Sequence, residues 1–400
     1  MGKRRAASDS ANNSGNGLDR PGSGGTLPRT SVSAATSTSP QPKQYYLALG
    51  DSITFGYQGA RIAAEVQATG TVNPAGFTTG VANDYLRILQ VLRPGIQLVN
   101  YACPGETSTQ FVSVSGCPTF SYQGHAFPLH NAFTGTQLAA ALAFIAAHPG
   151  QVSPITVDIG ANDVVQLLAA CGGLSNVTCV ASAFPAALKA FGQNLIQILG
   201  ALRQAAPDAS ITVLEPYNPY SVAAPSSSIL VDAVDKVIVQ VAAATHVNVA
   251  DAYTPFNVNP PQPQTICALT AFCTPLHDIH PTVAGYLRLA QTFYDASGFA
   301  AVAPGFLVTW TSSTPGQGEV YFGSGPGCSG LVEVATQDVF SNGTQHAIMV
   351  SGNDLPGTAG DAGVQPGGTY SYELVTVTRA DTQVDNNGGK CYTVMVSKSS

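Results

Sequence analysis

The run Tyr46-Leu47-Ala48-Leu49-Gly50-Asp51-Ser52-Ile53-Thr54-Phe55-Gly56 carries the most structural information in this chain. An apolar start leading into a Gly-Asp-Ser turn is how a buried parallel strand delivers a serine to the carboxyl edge of a sheet. Open α/β sheets bind their ligands at that edge. A serine hydroxyl alone is a weak nucleophile, so the reading requires a base and a set of oxyanion donors elsewhere in the chain.

Outward from this run, short apolar stretches alternate with helical patterns from residue 44 to about 300. Strands are expected over 45–49, 97–101, 155–159, 211–215 and 247–250, and helices over 81–92, 136–147, 184–206, 229–244 and 282–296. Such alternation predicts an α/β fold of three layers, a central parallel sheet covered by helices on both faces. The composition changes after Pro304: β-type runs at 306–310, 318–322, 331–335, 345–350, 369–378 and 391–396 are separated by Gly, Pro, Asn and Ser. They predict a small all-β sandwich domain. Residues 1–41, rich in Ser, Gly, Asn, Thr and Pro, are expected to form a disordered segment, leaving domains over 42–300 and 305–398.

Only 10% of the residues are charged, the formal net charge is −7, and no basic stretch follows the first five residues. These features exclude nucleic acid as a partner. No run is long and apolar enough to span a bilayer. Met1-Gly2-Lys3-Arg4-Arg5 has the charge of an export signal, but no apolar stretch follows it. The eight cysteines fall into local couples without the spacing of a zinc site. Disulfides Cys103–Cys117, Cys171–Cys179, Cys267–Cys273 and Cys328–Cys391 are expected, with buried free thiols as the alternative. The even count and low charge point to a secreted protein, and a monomer is expected.

Four blocks carry the chemistry: Gly50-Asp51-Ser52, Asn100-Tyr101-Ala102-Cys103-Pro104-Gly105-Glu106-Thr107-Ser108, Gly160-Ala161-Asn162-Asp163, and His277-Asp278-Ile279-His280-Pro281-Thr282. Each follows an expected strand or opens an expected helix. In these blocks residues 44–298 resemble the SGNH (GDSL) hydrolase family, with its four marker residues at Ser52, Gly105, Asn162 and His280. The resemblance implies a flavodoxin-like sheet, a serine nucleophile and a histidine base. It also implies an oxyanion hole built from the Ser52 and Gly105 N–H groups and the Asn162 amide. No cofactor and no metal are implied. The local cysteine couples suggest the family's secreted esterase and lipase branch.

Family members usually carry the acid three residues before the histidine, but that position here is His277. Asp278, two residues before His280, is the expected orienting partner, with a main-chain carbonyl near Leu276 or His277 as the alternative and Asp251 behind both. Asp51 and Asp163 are expected to hold their loops rather than to react. The substrate pocket is expected from the irregular segments 57–80 and 118–133, through Tyr57, Phe77, Phe120, Tyr122 and Phe127. The expected activity is hydrolysis of a small-molecule or lipid carboxylic ester through an acyl-serine. A carbohydrate O-deacetylase, a phospholipase and an inactive surface-binding protein are the alternatives. The segment Pro366-Gly367-Gly368-Thr369-Tyr370-Ser371-Tyr372 resembles the late-strand tyrosine motif of fibronectin type III-like domains. A module of that kind would contact a polymer or cell wall, or stabilise its neighbour.

Overall fold

The structure is a computed structural model. It describes residues 41–117, 121–122, 125–126, 128–257, 263–299, 305–324, 327–328, 331, 333–335, 343–351, 364, 367–378 and 381–396. The expected disordered segment therefore lies outside the described residues, apart from its last position. The first part of the chain runs β1 (Tyr45–Gly50), α1 (Ser52–Phe55), α2 (Gly59–Thr69), α3 (Val81–Leu92), β2 (Gln97–Asn100), α4 (Ser108–Ser113), β3 (Ser121–Tyr122), β4 (His125–Ala126), α5 (Gln137–Ala147), β5 (Val152–Asp158), α6 (Ala161–Ala170), α7 (Val177–Ala205), β6 (Ile211–Glu215), α8 (Ser228–Thr245), β7 (Asn248–Asp251), α9 (Tyr253–Phe256), α10 (Pro263–Leu269) and α11 (Val283–Ala296).

Five of these strands form one parallel sheet in the order β2-β1-β5-β6-β7. The chain leaves β1 toward β2 and then returns to place β5 on the opposite side of β1. The order thus reverses between β1 and β5, and the crevice beyond their carboxyl ends is where such sheets bind ligands. Alternation along β1 divides the core. Leu47 and Leu49 pack beneath α5, α7 and α8, while Tyr46 and Ala48 pack beneath α3 and α11. Helices therefore cover both faces, as the near-continuous apolar strands require.

Gly50 closes β1 with a φ of 143°, and a Cβ there would lie 2.3 Å from the Asp158 carbonyl oxygen. Only glycine lets the ends of β1 and β5 approach this closely, with Asp51 N–H donating to Asp158 O at 3.2 Å.

Several helices lie where no helix was expected, α2 and α6 the longest of them. Helix α7 begins at Val177 instead of 184 and continues through Pro185. Asn176 caps its first turn by accepting from Cys179 N–H, and the Cys171–Cys179 disulfide ties that turn to the end of α6. The proline removes one rung of the helical ladder without ending the helix.

The C-terminal domain is a small antiparallel sheet structure of β8 (Gly305–Ser324), β9 (Glu333–Ala335), β10 (Gly343–Ser351), β11 (Thr369–Val377), β12 (Thr382–Asp385) and β13 (Tyr392–Met395). The runs expected as separate strands at 306–310 and 318–322 are one strand, β8. It passes Pro315-Gly316 unbroken because its first part pairs with β10 and its second with β11. Phe306, Val320, Phe322, Ile348 and Leu374 form its core, and Trp310 donates from Nε1 to Thr376 Oγ1 at 3.0 Å. All four expected disulfides are present, and Cys328–Cys391 spans this domain.

Candidate active site

Ser52 opens the four-residue helix α1. Asp51 caps that helix, its Oδ1 accepting from Ile53 N–H at 3.0 Å. The Ser52 hydroxyl lies 2.9 Å from His280 Nε2, and His280 Nδ1 lies 2.5 Å from Asp278 Oδ1. His277 turns the chain with a φ of 46°, and Asp278 Oδ1 also accepts from the His280 main-chain N–H at 3.1 Å. This tight turn is how an acid only two residues away reaches the imidazole. Asp278 Oδ2 accepts from Gly59 N–H, at the start of α2, at 2.9 Å. Burial alone would raise the Asp278 pKa. The His280 imidazole and the N–H donors outweigh burial and hold the carboxyl below its usual range. Asp251 instead accepts from Thr254 N–H.

Asn162 enters from the other side of the crevice, at the start of α6. Its Nδ2 donates to Asp51 Oδ2 at 2.7 Å, which leaves one amide hydrogen for a ligand. Gly105 lines the same cavity as Ser52, Asn162 and His280. Its loop is fastened twice: the Cys103–Cys117 disulfide holds one side, and Asp163 accepts from Ser108 N–H and Oγ on the other. Asp51 and Asp163 thus sit in holding positions beside Ser52 and Asn162.

Beside Ser52, Asp51 belongs to a group of buried carboxyls whose other members, Asp158 and Glu106, the sequence reading missed. Asp51 and Asp158 are within hydrogen-bonding reach of each other, and Glu106 accepts from Gln137 Nε2. Gln137 also brackets Gly50 by accepting from its N–H and donating to its carbonyl. Burial, opposed by the N–H donors and the nearby imidazole, raises Asp51 to about 6. Burial and the neighbouring Asp51 charge raise Glu106 to about 9. Asp158, also buried and beside Asp51, is pushed well above the usual carboxylate range. Two carboxyls so close cannot both ionise, and Asp51, which accepts from two donors, is the one that holds the charge.

These positions match a known pattern. The GDSL-like Lipase/Acylhydrolase family matches residues 48–288, about three fifths of the chain. The chain belongs to that family. Among solved structures, this GDSL chain is similar to an extracellular lipase from Streptomyces rimosus, at 18% identity and TM-score 0.43, covering 62% of this chain and 99% of that one. It is also similar to an acetylxylan esterase from Geobacillus stearothermophilus, at 19% identity and TM-score 0.42, covering 65% and 96%. At such distances neither carries its substrate over to this GDSL protein. No curated protein matches the chain.

The cavity at Ser52, about 270 Å³, is walled differently from expectation. Tyr57 does line it, and its ring lies 4.2 Å from the His280 ring, centre to centre. Phe77 does not line it. Its ring is buried with Phe55, Ile62 and Val66, where it covers the apolar face of α2, and Arg61 lies over it. Phe120, Phe127 and the Tyr122 side chain lie outside the described residues. The walls come instead from α6, α8 and the β6–α8 connection. The apolar spacing Val164, Leu168 in α6 is visible in the sequence, but it reads equally as ordinary core.

Proposed function

We propose that this chain is a secreted serine carboxylester hydrolase that works through an acyl-Ser52 intermediate. The observation that carries the reading is the continuous contact from Ser52 Oγ through His280 to Asp278. Ser52 Oγ attacks the ester carbonyl while His280 Nε2 takes its proton, and Asp278 holds the ring and stabilises the imidazolium. The Ser52 and Gly105 N–H groups and the free Asn162 amide hydrogen receive the oxyanion. Each such donor is worth roughly a hundred- to a thousandfold in rate. His280 then protonates the departing alcohol, and water activated by the same imidazole frees the acid.

Secretion is supported by the four disulfides, which persist in oxidising compartments. The C-terminal domain is taken as a fibronectin type III-like accessory module, supported by Tyr370 of β11 stacking on Phe306 and Tyr372 packing tilted against the same ring.

Hydrolysis of p-nitrophenyl esters by the wild-type and Ser52→Ala proteins tests the reading. Turnover that disappears in the variant supports it, and equal turnover in both contradicts it.

A further inference from the structure

Pro104-Gly105 forms the centre of a tight turn in which Glu106 N–H donates to the Cys103 carbonyl at 3.1 Å. Gly105 has a φ of 80°, as the second central residue of a type II turn requires. The first arm of this turn hangs on the serine loop, because Cys103 N–H donates to the Gly50 carbonyl at 2.9 Å. The second arm reaches the same glycine through the side chain of Gln137, at the start of α5. Gln137 accepts from Gly50 N–H at 2.7 Å and donates from Nε2 to the Gly50 carbonyl at 3.0 Å. Its other amide hydrogen goes to Glu106 Oε2. Both amide hydrogens and the amide oxygen of Gln137 are therefore engaged between the two loops. Gln137 and Glu106 are fully buried.

We propose that Gln137 and Glu106 are positioning residues for the oxyanion hole, their side chains forming a strut that sets the spacing between the Ser52 and Gly105 N–H groups. This inference rests on the ester-hydrolase reading above and deepens it at the same site. Ser52 lies two residues beyond Gly50, and Gly105 lies one residue before Glu106, so each donor sits close to an anchored end of the strut. Neither Gln137 nor Glu106 lines the cavity at Ser52, so both act through the loops they hold. Oxyanion donors work when aimed at the place the charged oxygen will occupy. A change in their spacing therefore lowers the rate of the chemical step without weakening ground-state binding.

The strut also spares the site a second charge. Burial, with the neighbouring Asp51 charge, pushes Glu106 up to about 9. At neutral pH its carboxyl is protonated, so no further carboxylate stands next to Gly105 where the oxyanion develops. Gln137 is neutral at every pH, and a side chain of its length without the amide would leave Gly50 N–H buried and unpaired.

The test compares the wild type with Gln137→Met, which keeps the length of the side chain and loses its hydrogen bonds. The substrates are p-nitrophenyl acetate and its thionoester, which carries sulfur in place of the carbonyl oxygen. Sulfur is the poorer acceptor, so a well-aimed oxyanion hole prefers the oxygen ester. Gln137→Met should lower kcat roughly ten- to a hundredfold with KM within about twofold, and should narrow the oxygen preference by a similar factor. Glu106→Leu removes one bond of the strut and serves if Gln137→Met does not fold. It should lower kcat roughly tenfold, and Glu106→Gln, which restores an acceptor oxygen, should regain most of that loss. Unchanged kcat in Gln137→Met and Glu106→Leu, or a loss of kcat with the oxygen preference intact, would overturn the strut. Ser52-dependent turnover in the wild type would leave the hydrolase reading standing in either case. Hydrogen–deuterium exchange reads the strut without catalysis. Faster exchange over residues 49–56 and 102–108 in Gln137→Met, with β6 unchanged, supports it. Unchanged exchange over both loops overturns it whatever the fate of the hydrolase reading.

Discussion

Asp51 Oδ2 accepts a 2.7 Å hydrogen bond from Asn162 Nδ2, joining the loop after β1 to the loop after β5 across the crevice. Asp51 also caps the helix that begins with Ser52. One buried carboxylate therefore positions the serine loop and fixes the orientation of the asparagine amide. Because Asp158 lies within hydrogen-bonding reach, the pair holds one charge, placed on Asp51 by its donors.

If Asp51 works by holding Asn162, Asp51→Ala should lower kcat ten- to a hundredfold with little change in KM. Asn162→Ala should lower kcat a hundred- to a thousandfold. Steady-state kinetics on one ester series checks both. A large rise in KM with kcat preserved in Asp51→Ala would place the residue in ground-state binding instead.

Asp278 and Asp251 separate cleanly in the structure, since only Asp278 touches His280. Asp278→Asn should lower kcat by two or more orders of magnitude, because the imidazole loses the partner that fixes its tautomer. Asp251→Asn should cost severalfold at most. Comparable losses in the two variants, or none in Asp278→Asn, would remove Asp278 from its role.

The buried carboxyls give stability a pH dependence whose sign follows from the direction of each shift. Glu106, raised to about 9, and Asp51, raised to about 6, favour the folded state most below their unfolded pKa values of roughly 4. That contribution is lost as pH climbs through the folded values. Asp278, held low, works the other way, and its contribution is lost as pH falls below about 4. The melting temperature should therefore peak between about pH 4 and 5 and decline toward pH 9. Glu106→Gln should shrink the difference between the melting temperatures at pH 5 and pH 8. An undiminished difference by calorimetry would show that Glu106 is not its source.

The four disulfides close loops with sequence separations of 14, 8, 6 and 63 residues. Full reduction should cost several kcal/mol of stability, the 63-residue loop contributing most in the chain-entropy account. Replacing Cys103 and Cys117 together by serine should also lower kcat, since that bridge fastens the Gly105 loop. Unchanged melting under strong reductant would contradict the first expectation, and unchanged kcat in the double variant the second.

The sheet, the helices α3, α5, α7, α8 and α11, and the convergence of Ser52, Gly105, Asn162 and His280 on one cavity were legible because each signal is local, a strand pattern followed at once by a short motif. Asp278 was legible for the same reason, although its offset becomes intelligible only through the turn at His277. The cavity walls were not. Val164 and Leu230 lie far apart in sequence and come together only at the cavity, and an apolar i, i+4 pair on a helix reads as ordinary core. Phe77 misled for the converse reason, since an aromatic in a loop reads equally well as pocket or packing, and the unexpected helix α2 needed it as cover. The continuity of β8 through Pro315-Gly316 is set by partners on both sides, which no local signal reports.

The central claim is that Ser52 carries the acyl group. Rapid acid quench of the protein mixed with p-nitrophenyl octanoate, followed by peptide mass spectrometry, tests it directly. The account predicts an octanoyl adduct on the peptide containing Ser52, formed within the first turnover and absent from Ser52→Ala. Steady hydrolysis by the wild type with no adduct, or an adduct on another residue that persists in Ser52→Ala, would contradict it.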